Sequence, residues 1–257
     1  MPTPGWLNGF AILWLATVAA CAQPTTNRLL AVRAEHAFLQ AQADWTARPD
    51  DSGLACTLGR TTYDWAEFAT NAEQQAGIAR IGITACQRLV ERDSHSALGH
   101  YYLGMDYGEL AAAEAPSLAA YKLIREIERE FKAAADLDEQ VDHAGPLRCL
   151  GLLYRDAPGW PVSIGSRSKA REMLDRAAAL APDYPGNQMN LVESHVKWRQ
   201  AAEAEQAWRN LQTLWPVART NLVGVSWEAD WSDWIYRREV VKGDFRKAFK
   251  RDLAPGG

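Results

Sequence analysis

The chain has 257 residues, 47% of them apolar and 23% charged, with a net charge of −4. That is enough for one solenoid-like domain of roughly 200 residues behind an N-terminal extension. The acidic balance excludes a nucleic-acid-binding module, which would carry a basic excess clustered on one face. Strand signals are nearly absent, so the elements are sought as helices.

Gly9 to Ala20 is an apolar run too short to cross a bilayer as an ordinary helix and of the right length for a signal-peptide core. It ends in Val18-Ala19-Ala20-Cys21. Small residues directly before a cysteine resemble the bacterial lipobox, in which the signal is cut away and the cysteine becomes the lipidated first residue. On this reading residues 1–20 are signal peptide, Cys21 carries the lipid, 21–27 form a tether around Gln23-Pro24-Thr25-Thr26, and 28–257 form the folded domain. Met1 to Asn8 departs from the usual signal in having no Lys or Arg, and a simple cleaved secretory signal is the alternative. Several acyl chains, at about 0.8 kcal/mol per buried CH₂, would hold the protein on the periplasmic side of an envelope membrane. Ala22 rather than Asp after Cys21 favours the outer one. In an oxidising compartment Cys56, Cys86 and Cys149 cannot all pair within one chain. Cys86 and Cys149 fall at apolar helical positions and read as buried thiols, with a Cys56–Cys86 disulfide as the other possibility. No spacing suggests a metal site or a cofactor.

Along the remaining chain, helical hairpins repeat. Gly82, Cys86 and Leu89 fit the second helix of a hairpin whose first helix, about Asp64 to Gln75, matches poorly. His100, Leu103, Gly104 and Tyr107 form a first-helix pattern, answered by Ile127, Phe131 and Ala134. Glu126, Glu128 and Glu130 interleave with Arg125, Arg129 and Lys132, as on an exposed helix laced by short-range ion pairs. Leu147, Leu150, Gly151 and Tyr154 repeat the first-helix pattern, with Ala170, Leu174, Ala177 and Pro182 as its partner. The last unit runs from Pro185 through Leu191, then Ala204, Trp208 and Leu211, and Pro216 is expected to close it. From Pro182 to Pro216 is 34 residues. The order and period resemble the tetratricopeptide (TPR) unit, a hairpin that buries only half its apolar surface and must stack on neighbours. The repeats are most evident over 97–216, and the expected fold is an all-α, TPR-like helical-hairpin solenoid. Gly151 and Ala170 are small because two helix backbones cross closely there, with Tyr154 and Leu174 filling the groove beside them.

In a standard unit about 13 residues separate the first-helix Leu from the second-helix small residue, but Leu150 and Ala170 are 20 apart. The surplus forms a loop between two helices of one hairpin, stiffened by Pro158 and Pro161, with Ser166 or Ser168 capping the next helix. Its Trp160 is either a partner contact or a plug folded back on the hairpin's end, and the plug is expected because Trp is usually well buried. Trp227, Trp231 and Trp234, spaced i, i+4 and i+7, would share one helix face within a C-terminal element over 225–252. A cap shielding the last repeat is expected in preference to a partner-binding stripe. The basic cluster Arg246-Lys247 and Lys250-Arg251 alternates with Asp244 and Asp252 and reads as a solvated face. His36, His95, His100, His143 and His195 show no HExxH spacing and no Ser lies in a GxSxG turn, so no catalytic residue is assigned and a periplasmic hydrolase is the remote reading. His100 and His195 read as packing residues.

The segments Gly145-Pro146-Leu147-Arg148, Leu150-Gly151-Leu152-Leu153-Tyr154, Ala157-Pro158-Gly159-Trp160-Pro161-Val162-Ser163-Ile164-Gly165 and Leu180-Ala181-Pro182-Asp183-Tyr184-Pro185-Gly186-Asn187 resemble the TRAP-transporter T-component (TatT) family of TPR-containing bacterial lipoproteins. The resemblance covers about Leu54 to Pro216 and leaves the Trp-rich tail unmatched. It implies a periplasmic, membrane-anchored helical protein without catalysis, a trimer with a hydrophobic channel, and association with the solute-binding component of a TRAP transporter to bind or pass small hydrophobic solutes. The motif residues are structural, so no ligand-binding residue is carried over from them. The alternative is a TPR scaffold for other envelope proteins.

Overall fold

The computed structural model describes residues 24–253; the span read as signal peptide and the expected lipidation site Cys21 lie outside them. Among the described residues ten α-helices follow one another: α1 (Pro24–Ala47), α2 (Ser52–Ala66), α3 (Ala72–Arg92), α4 (Ala97–Glu114), α5 (Leu118–Leu137), α6 (Val141–Asp156), α7 (Arg167–Leu180), α8 (Pro185–Lys197), α9 (Ala201–Asn221) and α10 (Glu228–Phe249), the last preceded by a 3-10 turn, Val225–Trp227. α1 already begins within the span read as tether. Among the described residues there is no strand, only one bridge between Gly159 and Gly165.

The helix starts are written locally. Asp51, Asn71, Ser96, Ser117 and Ser166 each accept a hydrogen bond from the backbone N–H three residues on, supplying the partner that a helix N-terminus lacks. α8 starts instead with Pro185, whose missing N–H costs nothing in the first turn.

The hairpins α2/α3, α4/α5, α6/α7 and α8/α9 stack so that α2, α4, α6 and α8 form one layer, and α10 joins that layer beside α8. This is an all-α helical-hairpin solenoid. The crossings are as close as the small residues require. A methyl on Gly104 would lie 2.7 Å from the Phe131 ring, and one on Gly151 2.6 Å from Leu174 Cγ. Apolar burial divides into a cluster over α1–α3, a central one reaching from α3 to α10, and a third joining α7–α10. α10 contributes Trp231 and Trp234 to the second and Val241 and Phe245 to the third, so it covers the last hairpin as a cap.

Several expectations are corrected. The first helix of the first hairpin is Ser52–Ala66, and Asp64 to Gln75 instead spans the connection into α3. Pro216 does not end its helix; α9 continues to Asn221 because Ala218 is buried and Trp215 and Leu222 pack on the core, which outweighs the lost backbone bond. Glu130 is not on an exposed face: it is 3% exposed, bonded to His100 Nδ1 at 2.6 Å and to Arg129. Trp160 does not fold back; it is 88% exposed at the loop tip, because the loop closes on its own backbone through Gly165 N–H to Pro158 O at 2.7 Å and leaves the indole outside. All three described cysteines are free, Cys86 and Cys149 buried and Cys56 half-buried, so the Cys56–Cys86 disulfide is absent.

Candidate functional site

The layer of first helices lines a cavity of about 480 Å³, open to solvent on one side, whose walls come from α2, α4, α6, α8 and α10, with Leu30 of α1 at its edge. Arg33 of α1 pairs with Glu228 at the start of α10, joining the first and last helices of the described chain.

The floor is set by an unusual backbone. Asp142, His143 and Ala144 all adopt left-handed conformations, φ +47°, +55° and +62°, immediately before the regular part of α6. Residues with a Cβ resist this region at about 1–2 kcal/mol each, so the turn persists only because its surroundings hold it. Arg148 Nη1 donates to the carbonyls of Asp142 and His143, both at 3.1 Å, and its Nη2 to Asp142 Oδ2 at 2.9 Å. Asn187 Nδ2, buried on α8, donates to the carbonyls of His143, Ala177 and Ala181 at 3.1–3.3 Å. The Tyr101 hydroxyl donates to Asp142 Oδ2 at 2.6 Å. Burial alone would raise the Asp142 pKa, but Arg148 and the Tyr101 hydrogen bond outweigh it and hold the carboxyl below its usual range.

The turn sets His143 flat on Tyr184, with ring centroids 4.6 Å apart and planes 7° apart. Trp227 meets the His143 edge at 5.6 Å and Trp234 meets Tyr184 at 5.2 Å. Arg148 lies over the same Tyr184 ring at 4.9 Å. These rings form one aromatic wall.

Carboxylates occupy the other walls. On α10, Asp230 accepts from the Tyr184 hydroxyl at 3.3 Å, and Asp233 accepts from Arg237, which also reaches both Glu193 oxygens at 2.8 Å and Asn190. On α2, Arg60 lies 3.8 Å from Asp64, and Glu67 accepts from the Tyr63 hydroxyl at 3.0 Å. Burial pushes Asp64 and Asp230 each up to about 6, and Asp230 adds to the rise at Asp64 from the opposite wall. Burial, then Glu109 and Asp64, push Glu67 up to about 8; protein surrounds it, but its exposed edge on the cavity lets water screen part of that rise. Behind this wall Asp106 is fully buried without a hydrogen-bond partner, and burial raises its carboxyl far above the usual range, so it is held as the neutral acid. Glu109, bonded to Gln75 at 2.7 Å, is pushed up by burial to about 7.

A second, apolar slot of about 100 Å³ lies between α4, α5 and the end of α6, lined by small residues such as Gly104, Gly108 and Ala111. Among the described residues no three His, Cys, Asp or Glu converge as metal ligands, and no described helix is long and apolar enough to cross a membrane.

Of the four tryptophans singled out in the sequence, two meet in the cavity. Trp227 sits in the 3-10 turn rather than on the α10 face expected for it, and Trp234 is buried on α10; both line the site. Trp231 is buried in the core, its indole N–H donating to Leu222 O at 2.7 Å, and Trp160 stands apart on its loop. The repeat positions Leu150, Gly151, Tyr154, Ala170, Leu191, Ala204 and Trp208 are buried as structural residues, while Pro182 lies exposed in the turn before α8. His195 is a packing residue against Trp198 and Gln200. The residues missed were Asp142, His143, Arg148, Asn187 and Asp230; their only sequence signal is chemistry-bearing side chains at inward helix positions. No protein-family model matches the chain, and no curated protein matches it.

Proposed function

We propose that this protein is a binding component of the bacterial cell envelope, anchored at Cys21 on the periplasmic side of a membrane, that holds a small solute in the inner cavity and works with the solute-binding protein of a TRAP-type transporter. The observation that carries the binding part is the strained turn at 142–144, held by Arg148 and Asn187, which sets His143 and Asp142 on the wall of a walled cavity. Backbone strain kept in place by a dedicated buried hydrogen-bond set is a hallmark of sites rather than of packing. The volume lies within the usual range for small-molecule pockets, about 300–1,000 Å³. The polar and aromatic lining suits a solute with polar groups as well as apolar body, rather than the purely hydrophobic one that the family resemblance implies. The anchor, the transporter partner and a trimeric assembly rest on the sequence resemblance.

The exposed tip Trp160-Pro161-Val162, 88% and 67% exposed at its Trp and Val, favours a second reading, a TPR scaffold that docks another envelope protein there. Crosslinking in intact cells, followed by membrane solubilisation, capture through a C-terminal tag and mass spectrometry of partners and of the Cys21 peptide, separates the readings. Recovery of a TRAP-type solute-binding protein with acylated Cys21 is expected. Recovery of envelope-assembly proteins alone supports the scaffold, and an unmodified Cys21 removes the anchor.

A further inference from the structure

Resting on the reading of the cavity as a binding site, we propose that its ligand is an organic cation, an ammonium group seated between the α2 and α10 carboxylates with its carbon body against the Tyr184–Trp227 wall. The charges facing the cavity do not balance. Asp64, Asp142, Asp230 and Asp233 line it against Arg60, Arg148 and Arg237, and Glu67, pushed up to about 8, adds a carboxyl only partly ionised near neutral pH. Two of the three guanidiniums are already engaged. Arg148 is spent on Asp142, two backbone carbonyls and Asn187. Arg237 donates from all three nitrogens, and part of its charge goes to Glu193 outside the lining. Arg60 faces Asp64 at 3.8 Å with its guanidinium largely exposed. An anionic solute would therefore have to break an existing pair at Arg148 or Arg237, or settle on the exposed Arg60 beside the Asp64 carboxylate.

A cation meets the opposite situation. Asp230 has only the Tyr184 hydroxyl, and Glu67 only the Tyr63 hydroxyl. Asp64 and Asp230 stand on opposite walls yet repel each other, and Asp142 adds to the repulsion at both. A positive charge placed between them relieves that repulsion instead of creating one. The Trp227 ring adds to the seat, since a Trp face attracts a desolvated ammonium group, whereas Tyr184 is already covered by His143 and Arg148. Trp227 is only partly buried, so its ring remains available from the cavity. At a liquid-water share of about 30 Å³ per molecule, the cavity displaces about sixteen waters. That is room for an aryl-alkyl or branched amine, far more than a bare inorganic ion needs.

The test is calorimetric titration of the full-length protein near pH 7.5 with three matched probes: 2-phenylethylammonium, 2-phenylethanol and 3-phenylpropanoate. The ammonium probe is expected to bind at least about tenfold more tightly than the alcohol, with the carboxylate weakest. Asp230→Asn should reduce ammonium affinity by about tenfold and leave alcohol affinity unchanged. Asp64→Asn, at a half-exposed position, should act in the same direction should the first variant fold poorly. Equal or tighter binding of the alcohol or the carboxylate overturns the cation assignment while the cavity stands as a binding site. Failure of all three probes to bind overturns both.

Discussion

Asn187 shows how one side chain can decide a local conformation. Its amide nitrogen meets three carbonyls, that of His143 in the left-handed turn and those of Ala177 and Ala181 at the end of α7, and its oxygen faces Arg148. Replacement by Ala removes one of the two donors at each of these carbonyls and the amide oxygen facing Arg148, beside an already strained turn. Asn187→Ala is expected to lower unfolding free energy by about 1–3 kcal/mol, measured by urea denaturation, and to loosen the cavity. An unchanged urea midpoint would show that Arg148 alone holds the turn. Glycines make a sharper contrast at the same scale. Gly151→Ala drives its methyl into Leu174 and meets the Leu174 backbone nitrogen at 3.2 Å, so it should cost about 1–3 kcal/mol. Gly77→Ala, on the exposed side of α3 with nothing within 4 Å, should be neutral or stabilise by up to about 1 kcal/mol. The small residue at 151 was legible in the sequence because the repeat demands a close crossing there. The turn at 142–144 was not, because Asp-His-Ala contains no glycine to announce positive φ, and the residues that hold it lie as far away as α8.

At the scale of elements, α10 is the one whose role depends most on its neighbours. Its ends suit a helix dipole, with Glu228 and Asp230 in the first turn and Arg246 and Lys247 in the last. Its stability, however, comes from burying Trp231, Trp234, Val241 and Phe245 against two separate parts of the core. Removing residues 225–257 should strip the cover from α8 and α9, abolish a single cooperative melt followed by circular dichroism and raise binding of a hydrophobic dye. A shortened chain that still melts cooperatively would mean that α9 closes the solenoid unaided. The exposed loop tip should behave in the opposite way. Trp160→Ala is expected to leave the melting temperature unchanged, whereas Trp234→Ala should cost about 3–5 kcal/mol. The i, i+4, i+7 spacing of the C-terminal tryptophans pointed to one shared face, yet only the last two lie on α10. Gly224 at φ +99° and the 3-10 turn after it send Trp227 to the cavity.

Over the whole molecule, buried Glu109, half-buried Asp64 and Asp230 and, discounted for its exposure to water, Glu67 set how stability depends on pH. Asp64 and Asp230 are raised to about 6, Glu109 to about 7 and Glu67 to about 8, from ordinary values of 3.8 for Asp and 4.5 for Glu. Between those ordinary values and the raised ones, the folded state holds protons that the unfolded chain has released. Stability must therefore fall as pH rises through about 5 to 8, with buried Glu109 alone contributing at most about 3 kcal/mol. Asp142 and Asp156 act in the opposite sense. Burial opposes their ionisation, but their Arg and Lys partners lower both, so the stability they contribute is present above the ordinary carboxylate range and lost as pH falls through their folded values. A melting temperature higher at pH 5.5 than at pH 8, and lower again near pH 3, is the expected profile. A flat profile from pH 5.5 to 8 would mean that cavity water neutralises the burial cost.

The amino-acid sequence by itself determined the all-α character, the cap at Ser166 and the small residues at the crossings. Those features depend on a 3.6-residue period, on single capping side chains and on contacts within one repeat, all of which are local enough to be written in a short stretch of chain. Only the tertiary structure decided that Trp160 points outward, that Pro216 lies inside a helix, that Glu130 is buried and that a cavity with excess negative charge exists. The cavity is a sum over five helices spread from α2 to α10. Its charge balance depends on which carboxylates find an arginine once those helices are stacked, and no local pattern fixes that.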